Sequence, residues 1–335
     1  MKLLIIGAGR MGVRHAQGAL NVSAISAITL VDINQSALDN ATQALNSDQV
    51  TLEFLLIDQF EAQPGEFDVA IIASTASNRK TTLDLVQKTN CKHILVEKPL
   101  GQSQEEVEDL IDYTASFSAH VAVNLNMRLY DNFIELKNTL NTHPQYIGDK
   151  VISLNTGTLG IGANGIHYLD LCYFLLDANK AELVAGEIES SLIPSGRGSQ
   201  FGDFGGWCTI KFYQDEQYKG RAHLSLTSQS SAFGGWQITA PHARIYYNEV
   251  EQTIVHQVRK EGSEMPIYRY AADYLSPKTK DFVSPFLGDL TAKWLEGLAQ
   301  NQELLPSMKD SLGAHELMFQ WLNLSPTHTQ TFPIT

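Results

Sequence analysis

Lys2-Leu3-Leu4-Ile5-Ile6-Gly7-Ala8-Gly9-Arg10-Met11-Gly12 decides how this chain is read. An apolar run, Leu3 to Ile6, passes directly into a Gly-x-Gly-x-x-Gly spacing made by Gly7, Gly9 and Gly12, with Arg10 and Met11 between the last two. The run has the length of a buried strand, and residues 10–21 have helical character, so the stretch reads as strand, tight turn and helix. In that context each glycine has its own task. Gly7 permits the tight turn, Gly9 lets a ligand approach the backbone, and Gly12 lets the helix pack close to the strand. The helix N-terminus adds free N–H groups and the positive end of its dipole, so the expected ligand group is a pyrophosphate. The same glycines cut the apolar run too short for a secretion signal, and it reads as a first strand.

Outward from this turn, the first 125 residues alternate apolar strands with helical segments. AISAITLVDI, TLEFLLI, FDVAIIAS, HILVEKP and HVAVNLN read as strands; QSALDNATQALN and SQEEVEDLIDYTASFSA read as helices. Near-continuous apolar strands alternating with helices predict a parallel sheet covered on both faces, a doubly wound Rossmann domain over 1–125. Asp32 ends the second strand. A carboxylate there can accept hydrogen bonds from ribose hydroxyls and repels a 2′-phosphate, so the cofactor expected is NAD, with NADP less favoured.

Residues 126–335 read differently. VISLNTGT is a strand, and GIHYLDLCYFLL has helical spacing with Ile166, Leu169 and Tyr173 on one side. AELVAGEIES, WCTIKFY, RAHLSLTS, GWQITA, ARIYYN and QTIVHQV follow as strands with turn-like joints, which predicts an α+β domain with an open, mostly antiparallel sheet. Residues 286–300 and 307–322 look helical, and the glycine-rich segment 194–206 reads as a mobile loop. One helical region is too little to cover both faces of such a sheet. An uncovered apolar face associates, so a homodimer or homotetramer packed through 151–260 is expected.

The chain has 335 residues, 43% of them hydrophobic and 18% charged, and a net charge of −13. That is a globular composition long enough for two domains. The acidic balance argues against a nucleic-acid partner, and no stretch reaches the roughly 18 apolar residues of a membrane helix. Cys91, Cys172 and Cys208 fit neither a metal nor a disulfide spacing. No metal is expected, and a reducing, cytoplasmic setting is.

Glu97-Lys98-Pro99 closes the fifth strand, at the strand end where such folds bind ligands. A lysine there can stabilise developing oxyanion charge. His167 and Asp170 are spaced i, i+3 on a helix, and histidine has the basicity to move a proton near neutral pH. The glycine turn, Glu97-Lys98-Pro99, Asn126-Met127-Arg128 after the sixth strand and a His-bearing helix occur here in one order. That order resembles the glucose–fructose oxidoreductase and inositol dehydrogenase (Gfo/Idh/MocA) family over nearly the whole chain. Ile238-Thr239-Ala240 through Ala243-Arg244-Ile245 is similar to the family's late hairpin.

The resemblance implies NAD(P)-dependent oxidoreduction of a sugar, sugar nucleotide or cyclitol, and sheet-packed dimers or tetramers. Lys98 and His167 correspond to its catalytic residues, with Arg128, Asn164 and Asp170 as substrate-binding groups. Gly7, Gly9, Arg10, Met11, Gly12, Asp32, Ser74, Thr75, Glu97 and Lys98 would line the cofactor. Two departures touch the expected site: Ala163 stands where the family commonly has Asp, and Ser74-Thr75-Ala76 replaces its Thr-Pro. A reductase of a tetrapyrrole or imine, and a non-catalytic NAD-dependent sensor, are the alternatives.

Overall fold

Apolar strands in the first part of the chain assemble as their composition dictates. In the computed structural model, which describes residues 1–157, 159–194, 201–228, 230–231, 234–266 and 273–324, contacts divide the chain into two compact units. One is Met1–Leu129 with Pro285–His315. The other is Tyr130–Ser284 with residues 316–324. The chain returns to the first unit after residue 284.

The first unit holds β1 (Lys2–Ile6), α1 (Arg10–Ala19), β2 (Ala27–Asp32), α2 (Gln35–Ala44), β3 (Thr51–Leu56), α3 (Ile57–Ala62), β4 (Val69–Ile72), α4 (Arg79–Gln87), β5 (His93–Val96), α5 (Gln104–Thr114) and β6 (His120–Val123). The six strands form one parallel sheet in the order β3-β2-β1-β4-β5-β6. Leu3, Leu4 and Ile5 on β1, and Val69 to Ile72 on β4, have no solvent exposure, as strands covered on both faces require. Helix starts are set by short polar side chains. Asn34 accepts from the Ser36 N–H at the start of α2, and Ser103 accepts from the Glu106 N–H at the start of α5. Late in the chain, α8 (Leu287–Ala299) packs on α1. The backbones meet so closely that a Cβ on Gly18 would lie 2.1 Å from the Gly288 carbonyl oxygen.

The second unit holds α6 (Asp131–Thr142), β7 (Lys150–Gly157), α7 (Ile166–Leu176), β8 (Lys180–Pro194), β9 (Gly202–Gln214), β10 (Gln217–Thr227), β11 (Gly235–Ala240), β12 (Ala243–Asn248), β13 (Thr253–Val258) and β14 (Lys278–Asp281). These strands form one sheet in the order β14-β13-β12-β11-β7-β10-β9-β8, antiparallel except where β7 runs parallel to β10. The final helix, α9 (Met308–Leu322), begins in the first unit and ends in the second. α7 is buried nearly all round, on more than the one face its spacing marks, as befits a helix without a polar side. Its Tyr173 meets Phe212 of β9 edge-on, ring centroids 5.1 Å apart.

Two sequence expectations are corrected, and two further elements are added. Residues 202–206 of the glycine-rich segment are strand, paired with β8; residues 195–200 lie outside the described residues. Residues 131–142 are helical and 278–281 extended, and neither element was anticipated. The less buried sheet face is not apolar: Thr209, Lys211, His223, Ser225, Gln237 and Thr239 alternate with the buried residues of β9 to β11. Cys91, Cys172 and Cys208 are free and buried. Among the described residues, no helix is long and apolar enough to cross a membrane.

Candidate functional site

Because its strands are parallel, the first unit collects the loops after β1, β2, β4, β5 and β6 at one sheet edge. The glycine turn is there. Gly7 has φ +104°, and a Cβ on it would lie 2.9 Å from the backbone of Ala73 and Ser74. A Cβ on Gly12 would lie 1.8 Å from the Gly7 carbonyl oxygen, whereas one on Gly9 meets nothing within 4 Å. The turn is therefore closed against the sheet and open at Gly9. Among the described residues, no side chain caps the α1 N-terminus and its first turn, which holds Arg10 and Met11, carries no acid. Its N–H groups suit an anion.

Asp32 sits beside this turn with its carboxylate fixed by backbone donors: Oδ2 accepts from the Ala8 N–H at 2.7 Å and Oδ1 from the Asn34 N–H at 2.9 Å. Ile33, next along, is 82% exposed, an apolar surface beside the carboxylate. After β4, Thr75 Oγ1 lies 3.1 Å from Ser77 Oγ. The Ser74 hydroxyl is shielded from solvent with no hydrogen-bond partner among the described residues. An orphaned hydroxyl, an open Gly9 and an uncapped helix start at one sheet edge fit a dinucleotide.

The end of β5 rests on buried polar groups. Glu97 is 2% exposed and His15 fully buried. Glu97 Oε1 accepts from Asn124 Nδ2 at 2.7 Å and faces His15 Nε2 at 2.9 Å. His15 Nδ1 lies 2.8 Å from Thr291 Oγ1 on α8. Burial alone would raise the Glu97 pKa. The hydrogen bond and charge of His15, with the Lys98 charge and Asn124, outweigh it and hold the carboxyl at about 2. The Glu97 carboxylate thus faces His15 and Asn124.

The Lys98–Pro99 peptide is cis. Arg79, 3% exposed, donates to the carbonyls of Ile72, Glu97 and Pro99 at 3.3, 2.8 and 3.4 Å, lacing the ends of β4 and β5 together. Leu100 N–H donates to His315 Nε2 at 3.1 Å, and the Nδ1 of that ring faces the Ser311 carbonyl oxygen at 2.9 Å. This arrangement defines a neutral ring. Burial, together with the charges of Lys98 and Arg79, pushes His315 down to about 4. Lys98 itself is 9% exposed. Arg128 is half-buried in a 3-10 turn, Asn126–Leu129, after β6.

In the second unit, a π-helical turn, Ile161–Gly165, leads into α7. It carries Ala163 and Asn164. His167 is the second residue of α7, partly exposed, and Asp170, one turn on, is 1% exposed. Asp203 of β9, which the sequence reading missed, braces this turn. Its Oδ2 accepts from the Ala163 N–H at 2.7 Å, and its Oδ1 from the N–H groups of Gly162 and Phe204 at 3.0 and 2.8 Å. Beside His167, the Tyr168 hydroxyl donates to Glu249 Oε2 at 3.1 Å. Burial raises the Glu249 pKa against that bond.

The parallel sheet, the closed glycine turn and the anchored Asp32 together define a dinucleotide-binding domain. Residues 1–125 match the Gfo/Idh/MocA family model, described as an oxidoreductase family with an NAD-binding Rossmann fold. That match covers the NAD-binding domain, and the chain is an NAD-binding oxidoreductase.

A comparison with curated proteins gives no match. Solved structures share the fold. An oxidoreductase from Agrobacterium radiobacter, in complex with NAD+, L-tartaric acid and magnesium, is 16% identical at TM-score 0.70, covering 98% of this chain and 96% of that one. UDP-N-acetylglucosamine 3-dehydrogenase from Acidithiobacillus ferrooxidans is 16% identical at TM-score 0.69, covering 98% and 99%. A variant of a 3-ketoreductase from Actinomadura kijaniata, in complex with TDP-benzene and NADP, is 15% identical at TM-score 0.67, covering 96% and 97%.

Proposed function

We propose that the chain transfers hydride between NAD and a hydroxyl-bearing carbon of a sugar, a sugar nucleotide or a cyclitol. The observation that carries this reading is a single sheet edge that presents the open Gly9 turn, the fixed Asp32 carboxylate and the nearly buried Lys98. The sugar-nucleotide dehydrogenase and the ketoreductase of the same fold support the substrate class.

When bound, NAD supplies the hydride chemistry. Everything else falls to side chains. In the oxidative direction Lys98 donates a hydrogen bond to the substrate hydroxyl oxygen, and that bond strengthens as negative charge develops. His167 takes the hydroxyl proton. Asn164, Asp170 and Arg128 hold further hydroxyls of the substrate, and Ser74 and Thr75 the cofactor. Asp203 keeps the Ala163 turn, and with it the start of α7, in place. Asp32 binds the adenosine ribose and selects NAD over NADP.

A substrate screen with purified protein, following NADH absorbance across sugars, cyclitols and sugar nucleotides, tests the reading. Turnover confined to hydroxyl-bearing substrates supports it, and turnover only with an imine or a tetrapyrrole sinks it. We further propose a cytoplasmic enzyme that assembles as a homodimer or homotetramer. The supporting surface is the less buried sheet face, where Val184, Trp207 and Tyr246 are at least 40% exposed among polar neighbours. A monomeric mass in light scattering at micromolar concentration contradicts the assembly.

A further inference from the structure

Four residues from distant parts of the chain make the buried network beneath Lys98: His15 on α1, Glu97 after β5, Asn124 after β6 and Thr291 on α8. His15 stands three residues after Gly12, on the helix whose start forms the glycine turn. Neighbouring residues of an extended chain point to opposite faces. Glu97 turns its carboxylate to His15 of α1, which Thr291 of α8 meets on its other ring nitrogen, and Lys98 is the next residue along the strand end. Yet the Lys98 charge also acts on Glu97. A buried carboxylate needs a partner, and this one has two within its field. Of His15 and Lys98, His15 is the one that meets Oε1, at 2.9 Å, beside the amide of Asn124 at 2.7 Å.

We propose that His15 is a positioning residue for Lys98: it holds the Glu97 carboxylate on the α1 side of the strand end and so keeps that carboxylate from drawing the lysine ammonium away from a substrate oxygen. The inference rests on the role assigned to Lys98 above. It predicts that losing the imidazole turns Glu97 toward Lys98, which then binds its proton more tightly and presents its donors to the carboxylate.

The test compares His15→Leu, which removes the ring donor, with His15→Gln, which keeps a side-chain N–H. His15→Asn, too short to reach Glu97, replaces the leucine variant if that one does not fold. The first readout needs no substrate: the 15Nζ titration of Lys98 by NMR, assigned with Lys98→Arg. The expected result is an upward shift of about one pH unit in His15→Leu and a return toward wild type in His15→Gln. The second readout is turnover against cofactor affinity. His15→Leu should lose about tenfold or more in kcat with NADH Kd within about threefold of wild type, and His15→Gln should recover most of the rate. An unmoved Lys98 titration in a folded variant overturns the proposal, as does a loss of turnover that glutamine does not restore. If the wild-type enzyme turns over no sugar, sugar nucleotide or cyclitol, the functional reading fails, while the Lys98 titration still decides the role of His15.

Discussion

His15 Nε2 stands 2.9 Å from Glu97 Oε1, with 0% and 3% of the two side chains exposed. A carboxylate that deep stays ionised only because its partners outweigh desolvation. The strand end that carries Lys98 is thus supported from below by polar groups, each with a defined partner, in place of apolar packing alone.

The Glu97 pair makes stability depend on acid pH. Its carboxyl ionises at about 2 in the folded chain against 4.5 for an ordinary glutamate. The resulting stabilisation, on the order of 3 kcal/mol, is complete above about pH 4.5 and is lost as pH falls toward 2. Glu97→Gln should therefore be less stable than wild type at pH 6, with the gap narrowing as pH falls from 4.5 toward 2. Urea unfolding at three pH values measures this, and a gap that stays constant argues against the pair.

His315 acts over a higher window. The folded chain holds it neutral down to about 4, whereas an ordinary histidine takes up its proton near 6.5. Between those values the unfolded chain binds the extra proton, so folding stability falls as pH drops from 6.5 to 4 and is unaffected above. His315→Gln should flatten that slope in denaturant unfolding. An unchanged slope would show that other groups set it.

The proposed cofactor choice rests on Asp32, whose carboxylate is locked by the Ala8 and Asn34 N–H groups. Calorimetric titration should give tighter binding of NADH than of NADPH, and Asp32→Ala should narrow the difference. A wild-type preference for NADPH refutes the role given to Asp32.

Much of the first unit is legible because its strands are short apolar runs bounded by glycine, and because Asp32 and Lys98 sit where parallel strands end. α6 was legible too: Phe133, Leu136 and Leu140 have helical spacing and are buried, but the turn to strands around residue 150 masks it. β14 offers nothing to read. Its Lys278-Thr279-Lys280-Asp281 is exposed throughout and extended only through pairing with β13. The polar support of the site was missed for a different reason. His15, Asn124, Asp203 and His315 meet partners far away in the sequence, and His15, Arg79 and His315 lie on helices, where a polar residue ordinarily reads as surface. His15 alone left a local signal, since Gly12, His15, Ala16 and Ala19 form one buried stripe of α1.

The most direct test of the proposed chemistry is steady-state turnover of Lys98→Met and His167→Ala set against their NADH affinity, with a substrate found in the screen. A positioned proton-transfer group contributes about 10² to 10⁴ in rate. His167→Ala should lose turnover in that range with cofactor affinity near normal, and Lys98→Met should lose both turnover and substrate affinity. Wild-type turnover in both variants would contradict the assignment and move the chemistry to other residues.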